Sequence, residues 1–241
     1  MTTALTFDSV SLHYGLHTVI EEFNVTIPDG SVTGLIGLNG AGKTTLIKSV
    51  LGLRDVSAGT VSVYGYTAGA QPAKHYLSYL PENFAPPEFL SGYEFLNFAC
   101  RFYQDHVDRH TLLAYGQMLD LDDNILRRRV STYSKGMRQK IGLIGAVLAD
   151  APCLILDEPM AGLDPAARIA VKQLLSRVHT QGKTIVLSSH ILVDMDEICE
   201  TLLVLAENRL QFRGAPDQLK EWTGAANLEK GFLALVGNVT A

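Results

Sequence analysis

The sequence predicts an α/β fold: a mixed sheet with a parallel centre, an antiparallel β edge and an inserted helical subdomain. Three observations predict it. Short apolar runs rich in β-branched residues alternate with amphipathic stretches of helical spacing. A glycine-rich loop, "GLNGAGKTT", sits between one such run and one such stretch. From residue 82 to about 148 the pattern is helical, with few β-branched runs and with Pro and Gly at both ends. The 241 residues suit one domain carrying such an insertion, and 47% hydrophobic residues supply a sizeable core rather than disorder.

In chain order, "ALTFDSVSLHYG" alternates apolar and polar residues, with Leu5, Phe7, Val10 and Leu12 marking one or two strands. "FNVTI" places Phe23, Val25 and Ile27 on one face, and "PDG" is a turn. "SVTGLIG" reads as a strand buried on both faces. A helix follows the glycine-rich loop and ends near Gly52, and "GTVSVYG" is another strand. After the helical segment, "APCLILDEP" returns to a short buried strand. "DPAARIAVKQLLSRVHTQG" is an amphipathic helix closed by glycine, and "KTIVLSSH" is a strand. "LVDMDEIC", "TLLVLAENRLQFRG" and "PDQLKEWTG" read as helix, hairpin and helix. In the tail, residues 224–241, Leu228, Phe232, Leu235 and Val236 recur at helical spacing, a face for the core or for a dimer contact.

Composition narrows the function classes. A net charge of −5 argues against a nucleic-acid partner, because duplex binding rests on Lys and Arg. The three cysteines, Cys100, Cys153 and Cys199, show no metal or disulfide spacing and fit a reducing compartment. The opening "MTTALTFDSV" has no basic region followed by a long apolar run, so no signal peptide is expected. The most apolar stretch, "IGLIGAVLADAPCLIL", is broken by Asp150 and Pro152 and falls short of the ~18 residues a membrane helix needs.

Residues Gly37, Leu38, Asn39, Gly40, Ala41, Gly42, Lys43, Thr44 and Thr45 match the phosphate-loop pattern in its strand–loop–helix context. Its glycines let backbone N–H groups approach phosphates, and the helix start adds partial positive charge. Lys43 is expected to reach the β- and γ-phosphates and Thr44 to hold Mg²⁺. "CLILDEP" ends a buried strand in two carboxylates. Asp157 suits the outer shell of Mg²⁺ and Glu158 suits a base acting on water, because successive strand residues face opposite sides. Farther on, Ser134 precedes "KGMRQKIGLIGAVLAD" as a natural N-cap, with Gly136 leaving the backbone bare, a second helix start suited to a phosphate.

The order phosphate loop, "YSKGMRQ", "LILDEP", "AGLDP", "SSH" resembles the ATP-binding subunit of ATP-binding-cassette transporters over nearly the whole chain. The resemblance implies a P-loop NTPase (RecA-like) core that hydrolyses ATP with Mg²⁺. It implies a head-to-tail pair of cassettes, a homodimer being the simplest, in which Ser134 and Gly136 complete the partner's site. It also implies that Tyr14 stacks on adenine, that Asp164 lies in the loop signalling between sites, and that His190 contacts the γ-phosphate. Two departures stand out: "LSGGQ" reads "YSKGM", and the glutamine expected after the strand preceding the helical subdomain is Glu82, a metal ligand or a coupling residue.

The resemblance further implies polytopic membrane permease subunits, a peripheral place on the cytoplasmic face of the membrane, and a groove receiving a short helix of the membrane subunit. Phe84, Phe89 and Leu90 are the expected groove residues, within a segment that also holds Tyr93, Phe95, Phe98, Phe102 and Tyr103. The run Arg127–Arg129 is expected to be a solvated face. "YLPEN" with "TYSKGMRQ" is similar to cassettes of two-component exporters, and within these to the copper-linked ATPase that helps mature nitrous oxide reductase. A soluble cassette of iron–sulfur assembly and a nucleotide-sensing regulator are the rival classes.

Overall fold

Two long strands open the chain because both alternate buried and exposed residues and a two-residue turn joins them. They are β1 (Thr3–Tyr14) and β2 (His17–Pro28), paired antiparallel. The structure, a computed structural model, describes residues 2–101, 103 and 107–239, the side chains of Asn238 and Val239 excepted. Phe102 therefore lies outside the described residues.

The chain continues through β3 (Val32–Gly37), α1 (Lys43–Val50), β4 (Ala58–Val63), β5 (Tyr66–Thr67), α2 (Gln71–Lys74) and β6 (Leu77–Leu80). Helices α3 (Gly92–Cys100), α4 (Arg109–Met118), α5 (Asp123–Arg127) and α6 (Lys135–Leu148) follow, with a 3₁₀ turn at Val130–Thr132. Then come β7 (Cys153–Asp157), α7 (Pro165–Thr180), β8 (Thr184–Ser188), α8 (Leu192–Ile198), β9 (Thr201–Ala206), β10 (Arg209–Gly214), α9 (Pro216–Thr223) and α10 (Leu228–Val239).

The strands form the expected mixed sheet, with β10 as its antiparallel edge, and beside it a second sheet that is wholly antiparallel. One has the order β2-β1-β4-β5 and is antiparallel throughout. The other runs β10-β9-β3-β8-β7-β6, parallel except for β10. Alternation along the parallel strands divides the core. Leu35, Ile155 and Val186 pack with Leu46 and Ile47 of α1 and with the antiparallel sheet. Ile36, Leu154, Leu156 and Leu187 pack against the helices on the opposite face. Gly34 allows that second layer to come close: a Cβ there would meet Met195 Cε at 2.5 Å and Cys199 Sγ at 2.7 Å.

The segment between β6 and β7 is helical later than its composition suggests. Pro81, Pro86 and Pro87 keep residues 82–91 out of helix, and α3 begins only at Gly92 behind a capping box of Ser91 and Glu94. Its apolar residues, Phe95, Leu96 and Ile144 among them, join the same buried cluster as the sheet. The arginine run is exposed, with Arg127 paired to Asp123 at 2.7 Å. Asp150 and Pro152 occupy the turn between α6 and β7, and no described helix is long and apolar enough to cross a membrane. The three cysteines are buried and free, and burial pushes the Cys100 thiol up to about 11.

The tail's apolar face belongs to the core. Leu228, Phe232, Leu235 and Val236 lie in one cluster with Met195, Leu202 and Leu219. Replacing Phe232 by Ala is expected to cost about 3–5 kcal/mol, read as a shift of the urea midpoint. That shift should be the same at every protein concentration, whereas a dimer contact would make it concentration-dependent.

Candidate functional site

The parallel order brings three strand ends to one place. β3 ends at Gly37, β7 at Asp157 and β8 at Ser188, with Asp157 opposite Ser188 in register and Leu35 opposite Ser188 on the other side. Ligands of parallel α/β sheets bind at such carboxyl ends. Here a cleft of about 480 Å³ opens, lined by Tyr14, Glu82, Asp157, Glu158 and the loop from Asn39 to Thr45.

The loop leaves its helix start uncapped. α3, α4, α5, α6 and α7 each begin on a side chain that accepts a backbone N–H: Ser91, Asp108, Asp122, Ser134 and Asp164. α1 begins on Gly42 with no side-chain cap and no acid in its first turn. The first-turn N–H groups of α1 are thus aimed at the cleft as an anion seat. Gly42 is left-handed, with φ +95°, and a Cβ there would meet Val19 Cγ1 and Ile20 Cδ1 at 2.9 Å. Only glycine fits both constraints.

Lys43 lies buried beneath the loop, its Nζ donating to the carbonyls of Gly37 at 2.8 Å and Leu38 at 3.3 Å. Burial pushes its pKa below the ordinary lysine value, and the charges of Glu158, Asp157 and Glu82 oppose that fall. Thr44 donates its hydroxyl to Asp157 Oδ2 at 2.8 Å, so the loop and the carboxylate strand meet directly. Asp157 is fully buried, and Ser188 Oγ donates to its Oδ1 at 2.5 Å.

Glu158 takes its direction differently from the sequence expectation. The strand ends at Asp157, and Glu158 turns into the left-handed region with φ +54°. Its orientation thus comes from a backbone turn and not from strand alternation. Such a conformation in a non-glycine residue costs on the order of 1–3 kcal/mol and gathers at functional sites. Three contacts hold its backbone: the Glu158 N–H donates to Ser188 Oγ at 3.0 Å, and the Glu158 carbonyl accepts the Ala161 N–H at 3.1 Å and Gln139 Nε2 at 3.4 Å. The side chain is nearly buried and lies 2.7 Å from Nδ1 of His190, whose ring is 59% exposed.

The remaining expected residues divide into two groups. Tyr14 lines the cleft, half exposed, with the Arg54 guanidinium 4.3 Å from its ring centroid. Glu82 lines the cleft and is exposed. Ser134 and Gly136 do not line it; Ser134 caps α6 by accepting the Met137 N–H at 3.2 Å and is exposed. Asp164 caps α7, accepting the Ala167 N–H at 2.8 Å ahead of Pro165. His17 also lines the cleft beside Tyr14. Arg54, Gln139 and Ser188 join the site through neighbours distant in the chain, so their roles were not assigned from the sequence, although Gln139 and Ser188 fall within "YSKGMRQ" and "SSH".

A second, more apolar cleft of about 230 Å³ lies between β6, α3 and α6, lined by Phe84, Phe95, Phe98, Tyr103 and Gly142 among others. Phe84 is there as expected. Leu90 is instead packed against the buried cluster, held by its turn after Pro87, and Phe89 is 74% exposed outside the cleft.

Thr44 and Asp157 offer a hydroxyl and a carboxylate 2.8 Å apart at the cleft wall, with Glu82 nearby. Among the described residues no cluster of three His, Cys, Asp or Glu forms a closed metal cage. This fits Mg²⁺, which is held by one or two protein oxygens while phosphates and water supply the rest.

The family model described as ABC transporter matches residues 20–161. An uncharacterised ABC transporter ATP-binding protein of Synechocystis is 35% identical over 81% of this chain and 56% of its own length. The Nod factor export ATP-binding protein I of Rhizobium etli is 31% identical over 94% of this chain and 73% of its own. A solved structure of the ATP-binding subunit of an ABC transporter superposes with a TM-score of 0.88 at 30% identity, covering 97% of this chain and 99% of that one. The chain spans 56% and 59% of the length of two cyanobacterial relatives.

The two loop glycines separate conformation from crowding. Gly40 has φ +85° with nothing within 4 Å of a would-be Cβ, whereas Gly42 adds the clash with Val19 and Ile20. Gly40→Ala is expected to cost about 1–2 kcal/mol in the urea midpoint. Gly42→Ala should cost more and weaken binding of a fluorescent ATP analogue at least tenfold beyond Gly40→Ala. Equal losses would show that the contact with β2 does not shape the loop.

Proposed function

The chain belongs to the ABC transporter family as an ATP-binding domain, and from that premise we propose that it hydrolyses ATP to power transport through separate membrane subunits. The observation that carries the proposal is the 2.8 Å hydrogen bond from Thr44 to Asp157. It joins the anion-seating loop, the metal-side carboxylate and Glu158 in one cleft.

Tyr14 stacks on the adenine, an interaction worth about 1–3 kcal/mol by analogy with base stacking. The loop N–H groups and Lys43 take the phosphates. Thr44 and Asp157 would hold Mg²⁺, and Glu82 lines the same cleft as a further oxygen donor. Mg²⁺, when bound, neutralises charge developing on the β- and γ-phosphate oxygens. Glu158 orients the attacking water and accepts its proton, and His190, hydrogen-bonded to Glu158, faces the γ-phosphate side. Loss of such a base costs about 10²–10⁴ in rate.

Ser134 and Gly136 lie outside their own chain's cleft, as a shared site requires. A second copy, head to tail, brings them onto the γ-phosphate, so the working unit is a homodimer. ATP favours this closed pair only by binding it better than the open one. The cleft lined by Phe84 and Phe98 receives a short helix of a polytopic membrane subunit, which places the chain on the cytoplasmic face of the membrane. Export is the proposed direction, supported by relatives named for Nod factor export. The copper-linked maturation of nitrous oxide reductase is its narrowest form and rests on "YLPEN" and "TYSKGMRQ" alone.

Glu158→Gln is expected to lower kcat by about 10²–10⁴ while ATP still binds; a variant as fast as the parent would remove the base from this scheme. A second measurement addresses the sharing. Specific activity should rise with protein concentration, and mixing a Ser134→Arg chain with a Lys43→Ala chain should restore about one competent site per mixed pair. Activity strictly linear in protein, with no rescue on mixing, would rule out the shared site.

A further inference from the structure

We propose that Ser188 is a positioning residue for hydrolysis, setting both carboxylates of the site through one hydroxyl. The inference rests on the reading of Asp157 as the metal-side carboxylate and Glu158 as the base.

Ser188 is the last residue of β8, fully buried, and in register opposite Asp157. A serine hydroxyl has one hydrogen to give and two lone pairs to receive. Here the hydrogen goes to Asp157 Oδ1 at 2.5 Å, and a lone pair takes the Glu158 N–H at 3.0 Å. The other Asp157 oxygen is bound by Thr44 at 2.8 Å. The carboxylate is therefore gripped from β8 by one hydroxyl and from α1 by another, which fixes its rotation.

The second bond acts on the backbone. Glu158 has left the β7 ladder, and its left-handed φ of +54° needs a partner for a buried N–H. Ser188 is that partner. With the backbone so turned, the Glu158 side chain reaches His190 Nδ1 at 2.7 Å. Without the hydroxyl the N–H is left unpaired in the interior, and the turn that aims the base loses its anchor. The neighbouring Ser189 does not duplicate this role: its Oγ accepts the Ile191 N–H at 3.0 Å, a local turn after the strand.

The test uses the full chain and compares Ser188→Ala, Ser188→Thr and Glu158→Gln in steady-state hydrolysis with Mg²⁺. Affinity for a fluorescent ATP analogue in EDTA and melting curves are measured alongside. Ser188→Ala is expected to lower kcat about 10- to 100-fold, with affinity in EDTA unchanged within about threefold. Ser188→Thr, which keeps the hydroxyl, is expected to return kcat to within about threefold of the parent. If Ser188→Ala melts earlier yet turns over at the parental kcat well below its midpoint, the residue is structural only and the proposal is overturned. Failure of Ser188→Thr to rescue overturns it equally. Should Ser188→Ala not fold, Ser188→Cys replaces it: a thiol is a weak donor, the same loss is expected, and an unchanged kcat overturns the proposal. Glu158→Gln separates the layers. If it is inert while Ser188→Ala is fully active, only the positioning role fails; if it is fully active, the base assignment beneath both fails.

Discussion

The carboxylate of Asp157 is the point on which the site turns. It is wholly buried, and each of its oxygens is met by a hydroxyl from a different element, Thr44 of α1 and Ser188 of β8. A buried charge is tolerated only when it is hydrogen-bonded. Satisfying it forces the phosphate loop, the carboxylate strand and the neighbouring strand into fixed mutual positions. The uncapped start of α1, the buried Lys43 and the left-handed Glu158 are all arranged around this contact.

The two-layer core makes the contact rigid. Alternate residues of β3, β7 and β8 serve opposite faces, so α1 is pinned between the antiparallel and parallel sheets while α3 to α10 close the other side. Packed interiors do not deform continuously. A shift of Asp157 would therefore have to move α1 or β8 as a body. The tail helix contributes to this closure through Phe232 and Leu235, far from the cleft.

Much of this was legible in the sequence, for physical reasons. The parallel strands are uniformly apolar runs, and the glycine-rich loop announces itself because only glycine tolerates its backbone. Asp157 and Glu158 stand out as adjacent acids closing an apolar strand. What escaped was either non-local or conformational. That β1, β2 and β4 form their own sheet depends on pairing between distant segments. The left-handed turn at Glu158 is invisible because glutamate carries no preference for it, and the serine that accepts its N–H is 30 residues away. Leu90 was expected in the groove on the resemblance alone, and a turn from Pro87 packs it against the buried cluster instead. The tail's apolar face had two uses at the sequence level, and packing against Met195 and Leu202 decided between them.

Ser134 carries a consequence of its own. Its oxygen already accepts the Met137 N–H to start α6, which leaves the hydroxyl hydrogen uncommitted by that bond. Helix initiation alone would be served about as well by aspartate or asparagine. A proposed anionic visitor would not treat them alike, since aspartate would repel it and asparagine would reach differently. Folding and recognition thus ask different questions of one atom, and a chain could lose the grip proposed for Ser134 on a neighbour's nucleotide while remaining well folded.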